Sequence, residues 1–227
     1  MFTLKKYESV LNNLASKDFY FSIDWSESDS STIFLRHDID FSVSEAFKIA
    51  VLEASLKIQS TFFFMASSNM YNLMSKANRD LVNEIREMGH KISLHFDPTA
   101  YSNLDPFVDE KDCFERAFGA EVDIVSIHRP GIFLQNNNRD LFGIRHTYQD
   151  HYFNDMAYIS DSGGKGVDEK IEDYLSQTNL PGLQLLLHPI WWTRESDSPT
   201  ETLNLWRESN SSFISNEIIL NCKTYGV

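Results

Sequence analysis

Apolar and polar positions in this chain follow two alternating periods. Ile33-Phe34-Leu35, Thr61-Phe62-Phe63-Phe64-Met65, Lys91 to His95, Ile124-Val125-Ser126-Ile127, Met156 to Ser160 and Leu183 to Leu187 are short apolar runs, the length of buried strands. Between them the apolar residues recur at helical spacing. Val43, Ala46, Phe47, Ala50, Val51 and Ala54 form one face behind Ser42-Val43-Ser44-Glu45, whose spacing predicts a capping box. Leu81, Val82, Ile85 and Met88 predict a helix stopped by Gly89, and Asp109 to Phe118 one stopped by Gly119. Glu169 to Leu175 and Pro199 to Phe213 predict two more, the last of them terminal. Strands alternating with helices imply parallel pairing with the helices outside. The predicted class is α/β, a distorted (β/α) barrel of about seven parallel strands, with 143–148 the least regular contributor.

Four of the apolar runs end in groups that can do chemistry. Arg36-His37-Asp38-Ile39-Asp40, His95-Phe96-Asp97, His128-Arg129-Pro130 and His188-Pro189 each follow one directly. Barrels present their reactive groups at the C-terminal ends of their strands. Asp38 and Asp40 are two apart, so a strand projects both from one face, where a cation would relieve their repulsion. His95 and Asp97 repeat that spacing, and histidine with carboxylate is an ordinary ligand set for zinc or a similar divalent ion. His90 follows a helix stop and belongs at the opposite rim. Trp191 and Trp192 could stack on a sugar ring or pack in the core. His146 and His151, with Tyr148, Asp150 and Tyr152, are candidate pocket-lining residues, but their spacing identifies no mechanism.

Composition narrows the picture. The chain has 227 residues, 42% of them apolar, enough for one sizeable core, and is read as a single domain over 1–227. A net charge of -13 opposes nucleic-acid binding, which needs a concentrated basic face. Two cysteines, Cys113 and Cys222, suit a reducing compartment. No signal-peptide core or membrane-length apolar stretch occurs, so a cytoplasmic location is expected.

These motifs resemble the polysaccharide deacetylases, also called carbohydrate esterase family 4 or the NodB homology domain, from Ile33 to about Trp192. In that family paired aspartates supply a base and a metal ligand; the resemblance implies Asp38 as base and Asp40 as ligand. It implies His95 as a metal histidine, Arg129 as the arginine that orients the base, and His188 as the general acid. The family's second metal histidine falls four residues after the first, where this chain has Thr99; His128 or Asp97 is the candidate replacement. Ser160-Asp161-Ser162-Gly163-Gly164 is similar to the fourth motif but lacks its usual tryptophan.

The resemblance implies a metal-dependent hydrolase that removes an N-acyl, chiefly N-acetyl, group from an amino sugar, and the mixture of imidazole and carboxylate ligands favours zinc as the ion. With the expected compartment, it points to a nucleotide- or lipid-linked sugar in surface-polysaccharide biosynthesis, such as the O-antigen of lipopolysaccharide. The alternatives are a deacetylase-like sugar-binding module without catalysis, and a deacylase of another acyl or formyl amide.

Overall fold

In the computed structural model, which describes residues 2–222 together with Thr224 and Tyr225, one parallel sheet carries the whole architecture. Its strands are β1 (Tyr20–Phe21), β2 (Thr32–Ile39), β3 (Thr61–Phe64), β4 (Lys91–Phe96), β5 (Ile124–Ile127), β6 (Arg145–His146), β7 (Ala157–Ser160) and β8 (Leu183–Leu187). They run in the order β6-β5-β4-β3-β2-β8-β7, with the short β1 beside β2. All pairs are parallel. The sheet curls until its two ends approach, and Gln184 of β8 spans the gap, donating from Nε2 to the carbonyls of Thr147 and Tyr152 at 3.1 and 2.8 Å. The result is the predicted distorted (β/α) barrel, seven strands around and open between β6 and β7.

Helices α1 (Leu4–Ala15), α2 (Val43–Ser55), α3 (Lys76–Glu87), α4 (Pro106–Phe118), α5 (Gly131–Asn136), α6 (Asp150–Phe153), α7 (Asp168–Leu175), α8 (Pro189–Trp192) and α9 (Pro199–Asn221) fill the connections and flanks. Period-2 alternation divides each strand between two cores. Phe34, Phe63 and Ile124 join Trp25, Tyr152 and Met156 in the barrel floor, while Ile33, Leu35 and Ile39 belong to the larger core packed by the helices. Both faces of the sheet are covered, which is why β2 is buried along its whole length, its charged Arg36, His37 and Asp38 included.

Several expectations need adjustment. Helix α1 has no counterpart in the sequence reading, although Tyr7, Val10, Leu11 and Leu14 bury a regular apolar face. Helix α9 continues past Phe213 to Asn221, because no glycine or proline interrupts that stretch. Only half of the capping box forms. The Ser42 hydroxyl accepts from the Glu45 amide at 3.4 Å, whereas the Glu45 carboxylate binds Lys48 and Arg194, each at 2.8 Å.

Candidate active site

The inner face of β2 places Arg36, Asp38 and Asp40 in ascending order toward the rim. His95 rises from β4, while His128 and His188 stand just beyond β5 and β8. Asp40 Oδ1 lies 3.2 Å from His95 Nε2 and 3.4 Å from His128 Nδ1, and the two ring nitrogens are 3.1 Å apart. A tetrahedral zinc with bonds of about 2.0–2.1 Å spaces its ligands by about 3.3–3.4 Å, so the three atoms outline one face of such a polyhedron.

Chemistry agrees with spacing. His95 Nδ1 faces the Ser126 carbonyl at 3.3 Å, an acceptor, which assigns that nitrogen the proton and leaves Nε2 a lone pair toward Asp40. Asp40 Oδ1 is buried and has no hydrogen-bond donor among the described residues. Three convergent donor atoms, one of them orphaned, fit a divalent cation.

Asp38 lies deeper, 3% exposed. Its Oδ2 accepts from Arg36 Nη2 and from the Ser126 hydroxyl, each at 2.9 Å, while Oδ1 has no partner. Arg36 is itself held by Gln184 Oε1 at 2.6 Å and Tyr148 Oη at 3.1 Å, with its guanidinium 4.8 Å from the Tyr148 ring centre. Burial pushes the Asp38 carboxyl up, but Arg36, His95 and His188 together hold it below its usual value. The carboxylate is therefore ionised, clamped on one oxygen and free on the other.

His188 completes the rim. Its Nδ1 is 2.6 Å from Asp161 Oδ1, and its Nε2 points inward, 3.8 Å from Asp40 Oδ2. Asp161 also accepts the His188 amide and, at 2.8 Å, the indole N–H of Trp192. Burial disfavours the imidazolium, yet the charge and hydrogen bond of Asp161, helped by Asp40 and Asp38, push the ring up to about 9. At neutral pH it carries a proton to give.

The position expected for Arg129 is corrected. Its backbone turns left-handed at φ 52°, its side chain is 67% exposed, and it reaches Asp97 Oδ2 at 3.4 Å rather than Asp38. The guanidinium on Asp38 is that of Arg36, two residues earlier on the same strand, where alternation puts both side chains on one face. Asp97 stands outside the donor triangle; its Oδ1 caps the 3₁₀ turn Pro98–Ala100 through the amide and hydroxyl of Thr99 at 2.9 and 2.6 Å. His128 occupies the third corner, sharing the inner face with Ser126 by the same alternation, and the backbone turns left-handed just after it at Arg129. Trp191 and Trp192 are buried at 6% and 1%, which leaves neither ring for a sugar. His146 is buried too, and His151 pairs with Ser28 at 2.9 Å near the surface.

Arg36, Ser126 and Asp161 were missed as site residues. The signal was present: each lies two positions from a candidate or directly follows an apolar run.

No family model matches the chain, and no curated protein matches it. Solved structures similar to it include the chitin deacetylase of Colletotrichum lindemuthianum, at 16% identity over 78% of this chain and 81% of that one, TM-score 0.46. A family 4 carbohydrate esterase from Bacillus anthracis is 20% identical over 88% of this chain and 86% of that one, TM-score 0.45. A pseudoenzyme of the same esterase family, also from Bacillus anthracis, is 13% identical over 79% of this chain and 60% of that one, TM-score 0.46.

Proposed function

We propose that the protein is a metal-dependent carbohydrate deacetylase that hydrolyses the N-acetyl group of an amino sugar. One observation carries this reading: a cation-sized donor triangle lies between an ionised carboxylate with one free oxygen and a histidine backed by its own carboxylate. When bound at Asp40, His95 and His128, a divalent ion, zinc by the mixture of imidazole and carboxylate, would supply Lewis acidity to polarise the amide carbonyl and stabilise the charge that builds on its oxygen.

The chain's own groups manage the protons. Asp38, held ionised by Arg36 and Ser126, offers Oδ1 to take a proton from the attacking water. As the C–N bond breaks, His188 Nε2 gives a proton to the departing nitrogen, which is too basic to leave as an anion. Asp161 keeps that ring oriented and stabilises its cation. Acetate and a free amine result, and the proton balance closes through Asp38 and His188.

The candidate substrates are nucleotide- and lipid-linked amino sugars of surface-polysaccharide synthesis. The deciding experiment is acetate release from nucleotide- and lipid-linked N-acetylamino sugars by the metal-free chain and after addition of one equivalent of Zn²⁺. Release that requires the ion supports the reading. A chain that binds the sugars but releases no acetate with any divalent ion is a binding module, and the proposal fails.

A further inference from the structure

A second cluster of ionisable groups is sealed behind the site, on the face of β2 turned away from Asp38. Tyr7, His37, Glu53 and Ser60 are each 0% exposed, and His90 is 3% exposed. Glu53 of α2 is the hub. Its Oε1 receives His37 Nε2 at 2.7 Å and the Tyr7 hydroxyl, and its Oε2 receives the Ser60 hydroxyl at 2.6 Å.

Donor and acceptor counting assigns the protons. His37 Nδ1 is 3.1 Å from the Leu187 carbonyl, and Nε2 faces the Glu53 carboxylate. The carbonyl and the carboxylate accept only, and the Tyr7 hydroxyl, 3.3 Å from Nε2, gives its one proton to Glu53, so the ring donates from both nitrogens and pairs with Glu53 as an imidazolium. His90 is arranged the opposite way: Nδ1 accepts the Ser60 amide at 3.2 Å and Nε2 donates to the Ala50 carbonyl at 3.1 Å, which makes that ring neutral. One cation therefore balances one anion.

Such a pair is not explained by stability alone, because desolvating two charges costs about as much as their attraction returns, and apolar side chains of the same volume serve as well. Its contacts lead to the general acid. The Leu187 carbonyl that His37 holds belongs to the peptide bond entering His188. On the other side, the Tyr7 ring meets Trp192 edge-on at 5.3 Å, and the Trp192 N–H holds the Asp161 carboxylate behind the His188 ring.

We propose that Glu53 and His37, with Tyr7, are positioning residues: a buried brace that locks the end of β8 against the end of β2 and so holds His188 opposite Asp38. The kinetic part of this inference rests on the deacetylase reading; the spectroscopic part does not.

The test uses the full chain loaded with zinc and nitrogen-detected NMR of the histidine rings. In the unsubstituted protein both His37 nitrogens are expected to carry protons at neutral pH. Glu53→Gln, which keeps the size of the side chain, is expected to move the His188 ring resonances and leave bound zinc at the same stoichiometry. On a nucleotide-linked N-acetylamino sugar, kcat for acetate release is expected to fall about tenfold or more with KM within about twofold, the mark of a misplaced reacting group. Tyr7→Phe, which removes one donor and keeps the ring on Trp192, provides a milder variant that shifts the same signals in the same direction.

A neutral His37, unmoved His188 resonances, or unchanged kcat in a folded Glu53→Gln chain would each overturn the brace. If the unsubstituted protein hydrolyses no amide, the deacetylase reading falls, and the brace is judged on the ring resonances alone.

Discussion

Strand β2 carries two acid and histidine clusters back to back, and they differ in one respect that separates a reactive site from a structural one. On the inner face Asp38 Oδ1 and Asp40 Oδ1 are buried without donors. On the outer face, no side-chain nitrogen or oxygen of Tyr7, His37, Glu53, Ser60 or His90 is left without a partner. Residue types are nearly the same in both, while Asp40, His128 and His188 stand at a partly exposed rim and the outer cluster is sealed. An unpaired buried carboxylate oxygen is costly, so it persists where a ligand, an ion or a substrate completes it.

The largest expected effect comes from removing the free inner oxygen. Asp38→Asn should lower kcat by about 10³-fold or more while zinc remains bound, because a general base commonly contributes up to about 10⁴-fold. It should also lower the thermal midpoint, since the buried Arg36 guanidinium then keeps its charge without a counter-ion. Retained turnover would assign the base elsewhere.

A smaller effect separates the two candidates for the third ligand. His128→Ala should weaken zinc by more than about 100-fold, beyond what loss of an outer partner costs, and Asp97→Ala should leave the affinity nearly unchanged. Competition with a chromogenic chelator measures both. The reverse order would move the ion toward Asp97 and break the triangle.

The smallest effect lies in the pH dependence of stability and concerns the outer cluster. Burial pushes the Glu53 carboxyl up, but the charge and hydrogen bond of His37 and the hydrogen bond from Ser60 outweigh it and hold it below the usual glutamate value. A carboxyl depressed in the folded state favours folding above its unfolded pKa, and that contribution disappears as pH falls through the folded value. The urea midpoint of the unsubstituted chain should therefore decline on acidification below about pH 4.5 more steeply than that of Glu53→Gln. Equal slopes would mean that Glu53 carries no charge in the folded protein.

Periodicity in the chain was sufficient for the layout of the fold. Short apolar runs separated by helical faces can be buried together in few ways, and the parallel pairing, the outer helices and the shared face of Asp38 and Asp40 follow from residue spacing. The same rule would have found Arg36, which is two residues from Asp38, and Ser126, which is two from His128. Helix α1 was legible too: Tyr7, Val10, Leu11 and Leu14 recur at helical spacing and bury one face, part of it against α8.

Partner choice was beyond the reach of the linear pattern. Whether Arg36 or Arg129 meets Asp38 depends on a left-handed turn at one residue and on the curl that brings Gln184 and Tyr148 over the strand. Whether Asp97 or His128 faces Asp40 depends on a 3₁₀ turn that occupies the carboxylate locally. Spacing along a strand determines which face a side chain takes, but contacts between strands distant in sequence arise only when the sheet closes, and those contacts decide which charges are paired and which stay open for chemistry.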